Sequence, residues 1–388
     1  MRIAVIGGAG VMGSTAIKDL VDCRLFEEVV IADRNMKKAE TVVKDLKDQE
    51  TEVSARFVDA NRHDSLVKAV RDVDIAASTV GPYYKYAVKV MKGAIDAGVN
   101  FIDINDDYDA TRKALELNDE AKKAGITAII GMGESPGRTN ILAKYGADKM
   151  DRVDEIRIAW VAAIGDPSGI GATDHWFHCV TGMIPIYREG KWVDVPARTE
   201  PEIVDFGPPI GNAKVFLCGH GEPVTLPRYI KGVRNVTNKG GVVPSWFMEE
   251  YDHIINLGFG SLKALHMKEL DIQPRDVTVA LLHAILHFAS EEMGKQLGEA
   301  IVKWPRGGMR TEVIGEKGGE KTRLTYRVTG PPAMTTMAAG TAHCLSLGAQ
   351  MLAKGKIKVK GAFAPEGCID PKSCLAEMTK TGMVRTSL

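Results

Sequence analysis

The sequence predicts an α/β protein: an N-terminal Rossmann-type, doubly wound parallel sheet, followed by a second α+β domain whose sheet is largely antiparallel. Three observations predict it. An apolar run, Arg2 to Ile6, feeds directly into Gly7-Gly8-Ala9-Gly10-Val11-Met12-Gly13 and a stretch of helical spacing, Val11 to Val21. Further apolar runs then alternate with helical stretches as far as Ile130, the rhythm of a parallel sheet covered on both faces. Beyond Gly137 the rhythm gives way to glycine, proline and aromatic residues with paired alternating runs, which read as hairpins.

Taken in order, Val29 to Ala32 is the second strand, ending at Asp33. Lys37 to Lys47 reads as an exposed amphipathic helix, Val53 to Val58 as a strand and His63 to Arg71 as a helix. Asp74 to Val80 is the fourth strand, followed by Gly81-Pro82 and a helix to about Ala97. Asn100 to Ile104 and Ile126 to Ile130 are the fifth and sixth strands, with a helix over Thr111 to Lys123 between them. The helix Arg138 to Lys149 then leads into a long strand, Glu155 to Ala163. Val215 to Cys218 is a further strand, and Thr311 to Ile314 pairs with Thr322 to Val328 around Gly318-Gly319. Val277 to Glu292 and Thr335 to Leu352 read as helices. The expected division is a dinucleotide domain at residues 1–136, a second domain at 137–334, and a segment from about 335 to 388 that returns to the first domain.

The first turn carries the clearest chemistry. Gly8, Gly10 and Gly13 fit a G-x-G-x-x-G fingerprint: one glycine for the tight turn, one for close approach of a pyrophosphate, one for packing of helix on strand. Val11 and Met12 open the helix, whose unpaired N–H groups favour phosphate. Asp33, twenty residues after Gly13, is placed to accept hydrogen bonds from a ribose 2′-hydroxyl, which argues for NAD. Arg34, Lys37 and Lys38 beside it soften that preference and admit NADP. Ligands in such sheets sit beyond the carboxyl ends of the strands. The remaining cofactor contacts are therefore expected at Asp59, at Thr79, Val80 and Gly81, and at Asp103, and the stretches Thr79 to Tyr84, Asp103 to Asp107 and Gly131 to Asn140 frame the site.

Composition excludes several classes. The 388 residues are 45% hydrophobic and 26% charged, and 50 basic residues balance 50 acidic ones, so no net field draws nucleic acid or an anionic membrane. No run approaches the ~20 apolar residues of a membrane span. The first strand begins at residue 2, which leaves no room for a signal peptide, and a cytoplasmic protein is expected. Cys23, Cys179, Cys218, Cys344, Cys368 and Cys374 are scattered without C-x-x-C spacing, so reduced thiols and no metal are expected.

At Gly131-Met132-Gly133-Glu134-Ser135-Pro136-Gly137-Arg138-Thr139-Asn140-Ile141-Leu142, the chain resembles the saccharopine dehydrogenase-like family. Tyr145-Gly146-Ala147 and the tail at Ala364-Pro365-Glu366 extend the resemblance. It implies a Rossmann domain, a β-rich catalytic and dimerisation domain, a homodimer, and a C-terminal segment that rejoins the Rossmann domain. It also implies hydride transfer at a carbon bearing nitrogen on a lysine-derived substrate, either the oxidative deamination of a lysine 6-dehydrogenase or a saccharopine-type reaction.

Hydride transfer needs substrate held against the nicotinamide and a group that moves the accompanying proton. Arg138, at a helix start, suits a substrate carboxylate, although a solvated arginine fits the pattern equally. Glu134 suits a substrate ammonium or a capping role, and Asn140 a loop-fixing role beside substrate. His220 with Glu222, in a Gly-Pro-rich turn, suits general acid/base work; the competing reading is that both tie down a loop. His175 and His178 share a helical face with Asp174 nearby, as a substrate-pocket pair or a metal site. His283 and His287 read as ordinary helix residues, and Tyr83 and Tyr84 as a wall beside the nicotinamide. The reading from another class is a catalytically silent dinucleotide sensor that uses its second domain for protein contacts.

Overall fold

The computed structural model describes residues 1–47, 49–166, 168–285, 289–304, 306–328 and 336–381. Its first layer is β1 (Arg2–Ile6), α1 (Val11–Asp22), β2 (Glu28–Asp33), α2 (Met36–Asp45), β3 (Glu52–Phe57), α3 (His63–Val70), β4 (Ile75–Ser78), α4 (Tyr83–Asp96), β5 (Asn100–Asp103), α5 (Tyr108–Glu116), α6 (Asn118–Lys123) and β6 (Thr127–Ile129). The middle of the chain continues with α7 (Arg138–Ala147), β7 (Arg152–Ala163), α8 (Ile170–Cys179), β8 (Met183–Arg188), β9 (Lys191–Pro196), β10 (Glu202–Asp205), β11 (Asn212–Leu217), α9 (Glu222–Tyr229), β12 (Asn235–Val243) and α10 (Phe247–Asn256). Then come the hairpin β13 (Leu265–Met267) and β14 (Leu270–Ile272), α11 (Pro274–His283), α12 (Glu291–Lys303), β15 (Gly308–Lys317) and β16 (Glu320–Val328). The tail supplies α13 (Met337–Ala353), β17 (Gly361–Phe363), α14 (Pro365–Cys368) and α15 (Pro371–Lys380).

The first sheet has the order β17-β6-β5-β4-β1-β2-β3, every pair parallel. Its centre is buried on both faces, with Ile3, Ala4, Val5, Ile75, Ala76 and Ala77 wholly inaccessible, as continuous apolar runs in a doubly covered sheet require. The sequence foresaw six of its strands. The seventh, β17, is only three residues long, too short to stand out as a pattern, and it pairs Gly361 to Phe363 with Thr127 to Ile129. α13 packs on α1, so the tail closes the face of the first sheet near the glycine turn. Thr335 and residues 382–388, at the two ends of the expected returning segment, lie outside the described residues.

The second sheet runs β10-β11-β12-β7-β15-β16, with the β8–β9 hairpin joined to β12. It is largely antiparallel, except that β12 and β7 pair in parallel over nine residues, Asn235–Val243 against Glu155–Ala163. The hairpin around Gly318-Gly319 forms as expected, from Met309↔Val328 to Lys317↔Glu320. Two expected helices divide. Thr111 to Lys123 lies in α5 and α6, which meet at Leu117, and the Asn118 side chain accepts from Ala362 N at 3.2 Å to hold β17. Val277 to Glu292 is likewise not one helix: α11 ends at His283, and Ser290 caps α12 by accepting from Met293 N at 3.3 Å. A serine cap followed by two acids starts a helix more strongly than it continues one. His287 lies outside the described residues.

Candidate functional site

The glycine turn fits a dinucleotide phosphate. A Cβ on Gly13 would lie 2.4 Å from Gly7 O, so helix and strand approach as only glycine permits. A Cβ on Gly10 would meet only Gly7 O, at 3.2 Å, with its outer side open. Gly8 is buried against Val5, Ile17 and Ile31. Gly10 caps α1 without any side-chain bond, and α1 has no acid in its first turn, so its N-terminus remains an anion site. Val11 is exposed beside it. Asp33, at the end of β2, accepts from Ala9 N at 3.1 Å and from Asn35 N at 2.8 Å, which fixes the acid against the turn. Arg34, Lys37 and Lys38 are exposed next to it. Asp59 follows β3 and accepts from Asn61 N at 2.9 Å. Thr79 donates to Gly7 O at 3.0 Å, tying the turn after β4 to the glycine turn. Val80 follows it, and Gly81 lies under α8, where a Cβ would stand 3.6 Å from Gly171.

Asp103 departs from expectation. It is 2% exposed, and its Oδ1 accepts from Gly131 N at 2.8 Å and Asn105 N at 3.1 Å. Burial raises its pKa to about 7. Through Oδ1 it knots two loops together, while Oδ2 is buried without a hydrogen-bond partner.

Between the carboxyl edge of the first sheet and the face of the second lies a cavity of about 370 Å³. Met12, Tyr83, Asp106, Glu134 and Ser135 line it from the first sheet, and Trp160, Asp166, His175, Trp176 and His220 from the elements opposite. Two histidines dominate its polar wall, with ring centroids 5.6 Å apart. His220 precedes α9, and its Nδ1 is 2.9 Å from Glu222 Oε2. Glu222 is fully buried; its Oε1 accepts from Ser135 Oγ and, at 2.9 Å, from Thr139 Oγ1. Burial alone would raise the Glu222 carboxyl, but His220 and then Ser135 outweigh it and hold it low.

His175, on α8, meets the loop after β5. Its Nδ1 lies 2.7 Å from Asp107 Oδ1 and 3.1 Å from Asp106 Oδ1, while Asp107 Oδ2 accepts from Tyr84 N at 2.6 Å. Burial disfavours the imidazolium, yet Asp106 and Asp107 overcome it and hold His175 well above the usual histidine value. Asp106 itself is pushed up to about 6, by burial first and by Asp107, against the pull of His175. Burial, Asp106 and Asp107 push the Tyr83 phenol up as well. Asp106, His175 and His220 offer one ligand atom each within 4.8 Å of one another, the spacing of a divalent-cation site and the single such cluster among the described residues. All six cysteines are free thiols.

Several expected site residues stand elsewhere. Arg138 is 0% exposed behind Glu134, its Nη2 3.0 Å from Glu134 Oε1 and its Nε and Nη1 unpartnered. A guanidinium sealed from the cavity cannot reach a substrate carboxylate directly, so its part is to hold Glu134. Burial still pushes Glu134 up to about 7 in spite of that pair. Asn140 is buried off the cavity: its Oδ1 accepts from Gly137 N at 2.9 Å, and its Nδ2 donates to Thr225 Oγ1 and Glu366 Oε2. It fixes the loop and does not touch the cavity. His178 turns from His175, stacks on Tyr84 and pairs with Asp109 at 3.1 Å, while Asp174 accepts from Tyr84 OH at 3.2 Å. His283 lines the cavity. Asp106, Asp107, Trp160, Asp166 and Trp176 were not singled out from the sequence. Only the first two had a signal, since they end the stretch beyond the fifth strand.

Comparison with known proteins agrees with this layout. Residues 3–129 match the family model of the saccharopine dehydrogenase NADP binding domain, and residues 133–383 that of the saccharopine dehydrogenase C-terminal domain. A carboxynorspermidine synthase of Vibrio cholerae is 29% identical over 259 residues, 60% of this chain and 61% of that protein. A second, of Vibrio alginolyticus, is 25% identical over 424 aligned positions, 99% of this chain and 96% of that protein. The solved structure of saccharopine dehydrogenase (L-Glu forming) from Saccharomyces cerevisiae shares the fold at a TM-score of 0.67, with 15% identity over 99% of this chain and 98% of that one.

Proposed function

The chain belongs to the saccharopine dehydrogenase family and is an NAD(P)-dependent dehydrogenase, and on that premise we propose that it makes or breaks the C–N bond of a secondary amine that carries an amino-acid carboxylate. The observation that carries this reading is the convergence of His220–Glu222 and His175–Asp107 on one cavity beside Met12 and Tyr83, at the nicotinamide end of the glycine turn. Gly10, Val11 and Met12 would cradle the cofactor's pyrophosphate, with Gly13 closing helix on strand behind them, and Asp33 would take the ribose. When bound, the reduced nicotinamide supplies the hydride. In the C–N-forming direction an amine adds to a carbonyl carbon and water leaves. The resulting C=N bond takes hydride at carbon, and one proton is consumed overall. His220 gives the proton that lets the carbinolamine oxygen depart as water, and in the reverse direction takes it back; Glu222 fixes the ring that does so. His175 stays cationic and orients polar substrate atoms.

The amine component is read as a polyamine type, the class in the names of the two Vibrio relatives. The lysine-derived substrate expected from the resemblance is the competing outcome. A screen of aldehyde and 2-oxo acids against diamines, polyamines and lysine, following NADPH and NADH consumption, tests both. Tight dinucleotide binding with no turnover on any pair would overturn the C–N reading and place the substrate outside these classes.

We also read the assembly as a homodimer. The reading rests on the family resemblance and on Leu257, Met267, Leu270 and Val302, which are 75%, 58%, 65% and 82% exposed on the second domain. Light scattering on a sizing column decides it. Among the described residues no helix is long and apolar enough to cross a membrane.

A further inference from the structure

Asp166 is a buried acid with an unused oxygen on the cavity wall. It follows β7 and is 8% exposed; its Oδ2 accepts from Gly307 N at 3.2 Å and the Met337 amide also favours its ionised form, while its Oδ1 has no partner at hydrogen-bonding geometry. A buried carboxylate oxygen without a donor is costly, so one that borders a cavity marks where a ligand's donor belongs. Glu134 borders the same cavity and feels the Asp166 charge. The wall beside them is aromatic: Trp176 stands 5.5 Å from Tyr251 and 5.9 Å from Trp160, by ring centroids. None of the described lining residues is a lysine or an arginine.

Acids at one point and aromatic faces around them complement an ammonium on a methylene chain, whereas a carboxylate there would meet like charge. The strand gives the separation. Trp160 on β7 lies 5.4 Å from the His220 ring, and β7 runs on to Ala163 before the turn to Asp166. At about 3.3 Å per residue, Trp160 to Ala163 spans roughly 10 Å, and Asp166 stands one turn beyond, its N donating to Ala163 O at 3.0 Å. Resting on the C–N reading above, we propose that Asp166, supported by Glu134, is an ammonium subsite that selects amines carrying a second, primary amino group, held away from the nitrogen that reacts at His220.

The test compares α,ω-diamines of three to five carbons with n-alkylamines of the same length. With the intact protein and saturating NADPH, kcat/KM is expected to favour the diamine by about 10- to 100-fold, the worth of one charged hydrogen bond. Asp166→Asn should remove that preference by lowering the diamine rate alone, and Asp166→Glu should restore part of it. Equal loss on both amines, or no loss, overturns the assignment. Calorimetric titration of each amine into the NADP complex reads the subsite without turnover. No cofactor consumption with any pair would therefore sink the C–N reading, while equal affinity for diamine and alkylamine would sink the subsite. Unchanged NADP affinity and thermal midpoint in Asp166→Asn exclude a folding defect; should that variant misfold, the affinities of the parent protein for diamine and alkylamine decide the assignment.

Discussion

Two histidine–carboxylate pairs face one cavity, and they are built differently. His220 and Glu222 belong to a single turn, and the acid's other oxygen is already taken by Ser135 and Thr139. His175 draws its acids, Asp106 and Asp107, from a loop 68 residues away from it in the case of Asp107, and it has two of them. One carboxylate, satisfied on its far side, orients an imidazole and leaves its proton free to move. Two carboxylates around one ring stabilise the imidazolium itself. On the function proposed above, the contrast gives proton transfer to His220, while Asp106 and Asp107 hold a standing charge on His175.

Breaking the first pair should have the largest effect. His220→Ala is expected to lower kcat by ~10²–10⁴, the range for a lost general acid/base, with the dinucleotide affinity within about twofold of the parent. Single-turnover measurements of cofactor oxidation check it, because slow product release would mask part of the loss. A loss below about tenfold would erase the contrast and move the proton to His175.

Breaking the second pair should cost less and change a different observable. Asp107→Asn removes the charge nearest His175 while its amide oxygen can still accept from Tyr84 N, and kcat/KM should fall about 10- to 100-fold, as for a lost buried charged hydrogen bond. The alkaline limb of the pH–rate profile should also move to lower pH, since Asp107 helps to keep His175 protonated. An unmoved limb would mean that the charge on His175 does not matter to the reaction.

The same contrast separates what the sequence disclosed from what it hid. The glycine turn and His220–Glu222 are local: spacing within a few residues carries them, so both were legible. Arg138 reads from the sequence as a carboxylate binder or a solvated arginine and Asn140 as fixing the loop beside substrate, yet both side chains are wholly buried in the first turn of α7, because Gly137 turns at φ 120 and brings Gly133 against α7. Nothing in residue type reveals which way such a turn aims its side chains. The His175–Asp107 pair joins α8 to the loop after β5, and Asp166 follows a strand of the other sheet; long-range packing creates both, and no local period encodes it. β17 stayed hidden for the same reason, since three residues become a strand only against β6.

Stability should report the standing charge directly. The folded pKa of His175 is raised above its unfolded value of about 6.5, so the stabilisation is fully present below that value and is lost as pH rises through the folded one. Burial keeps Asp106 near 6, which sets the acid end of the window. The thermal midpoint of the parent should therefore exceed that of His175→Gln most between about pH 6 and 6.5, and the gap should narrow toward pH 9. Scanning calorimetry across that range checks the sign, and a gap that widens with pH would show that His175 is buried neutral.

The smallest effect, and the finest test of the His220 side, lies with the two hydroxyls on Glu222. Ser135→Ala removes one donor but leaves Thr139 Oγ1 at 2.9 Å on the same oxygen and His220 on the other, so kcat should fall only about three- to tenfold. Thr139→Val should behave alike, because Ser135 remains. The double variant is different in kind. It leaves a fully buried carboxylate with His220 as its remaining side-chain partner, and an acid so desolvated takes up a proton instead of holding the imidazole in place. Its loss in kcat should therefore exceed the product of the two single losses by about tenfold or more, the behaviour of groups that share one partner. Multiplicative losses would mean that Glu222 needs neither hydroxyl to stay charged, and that His220 alone sets its ionisation.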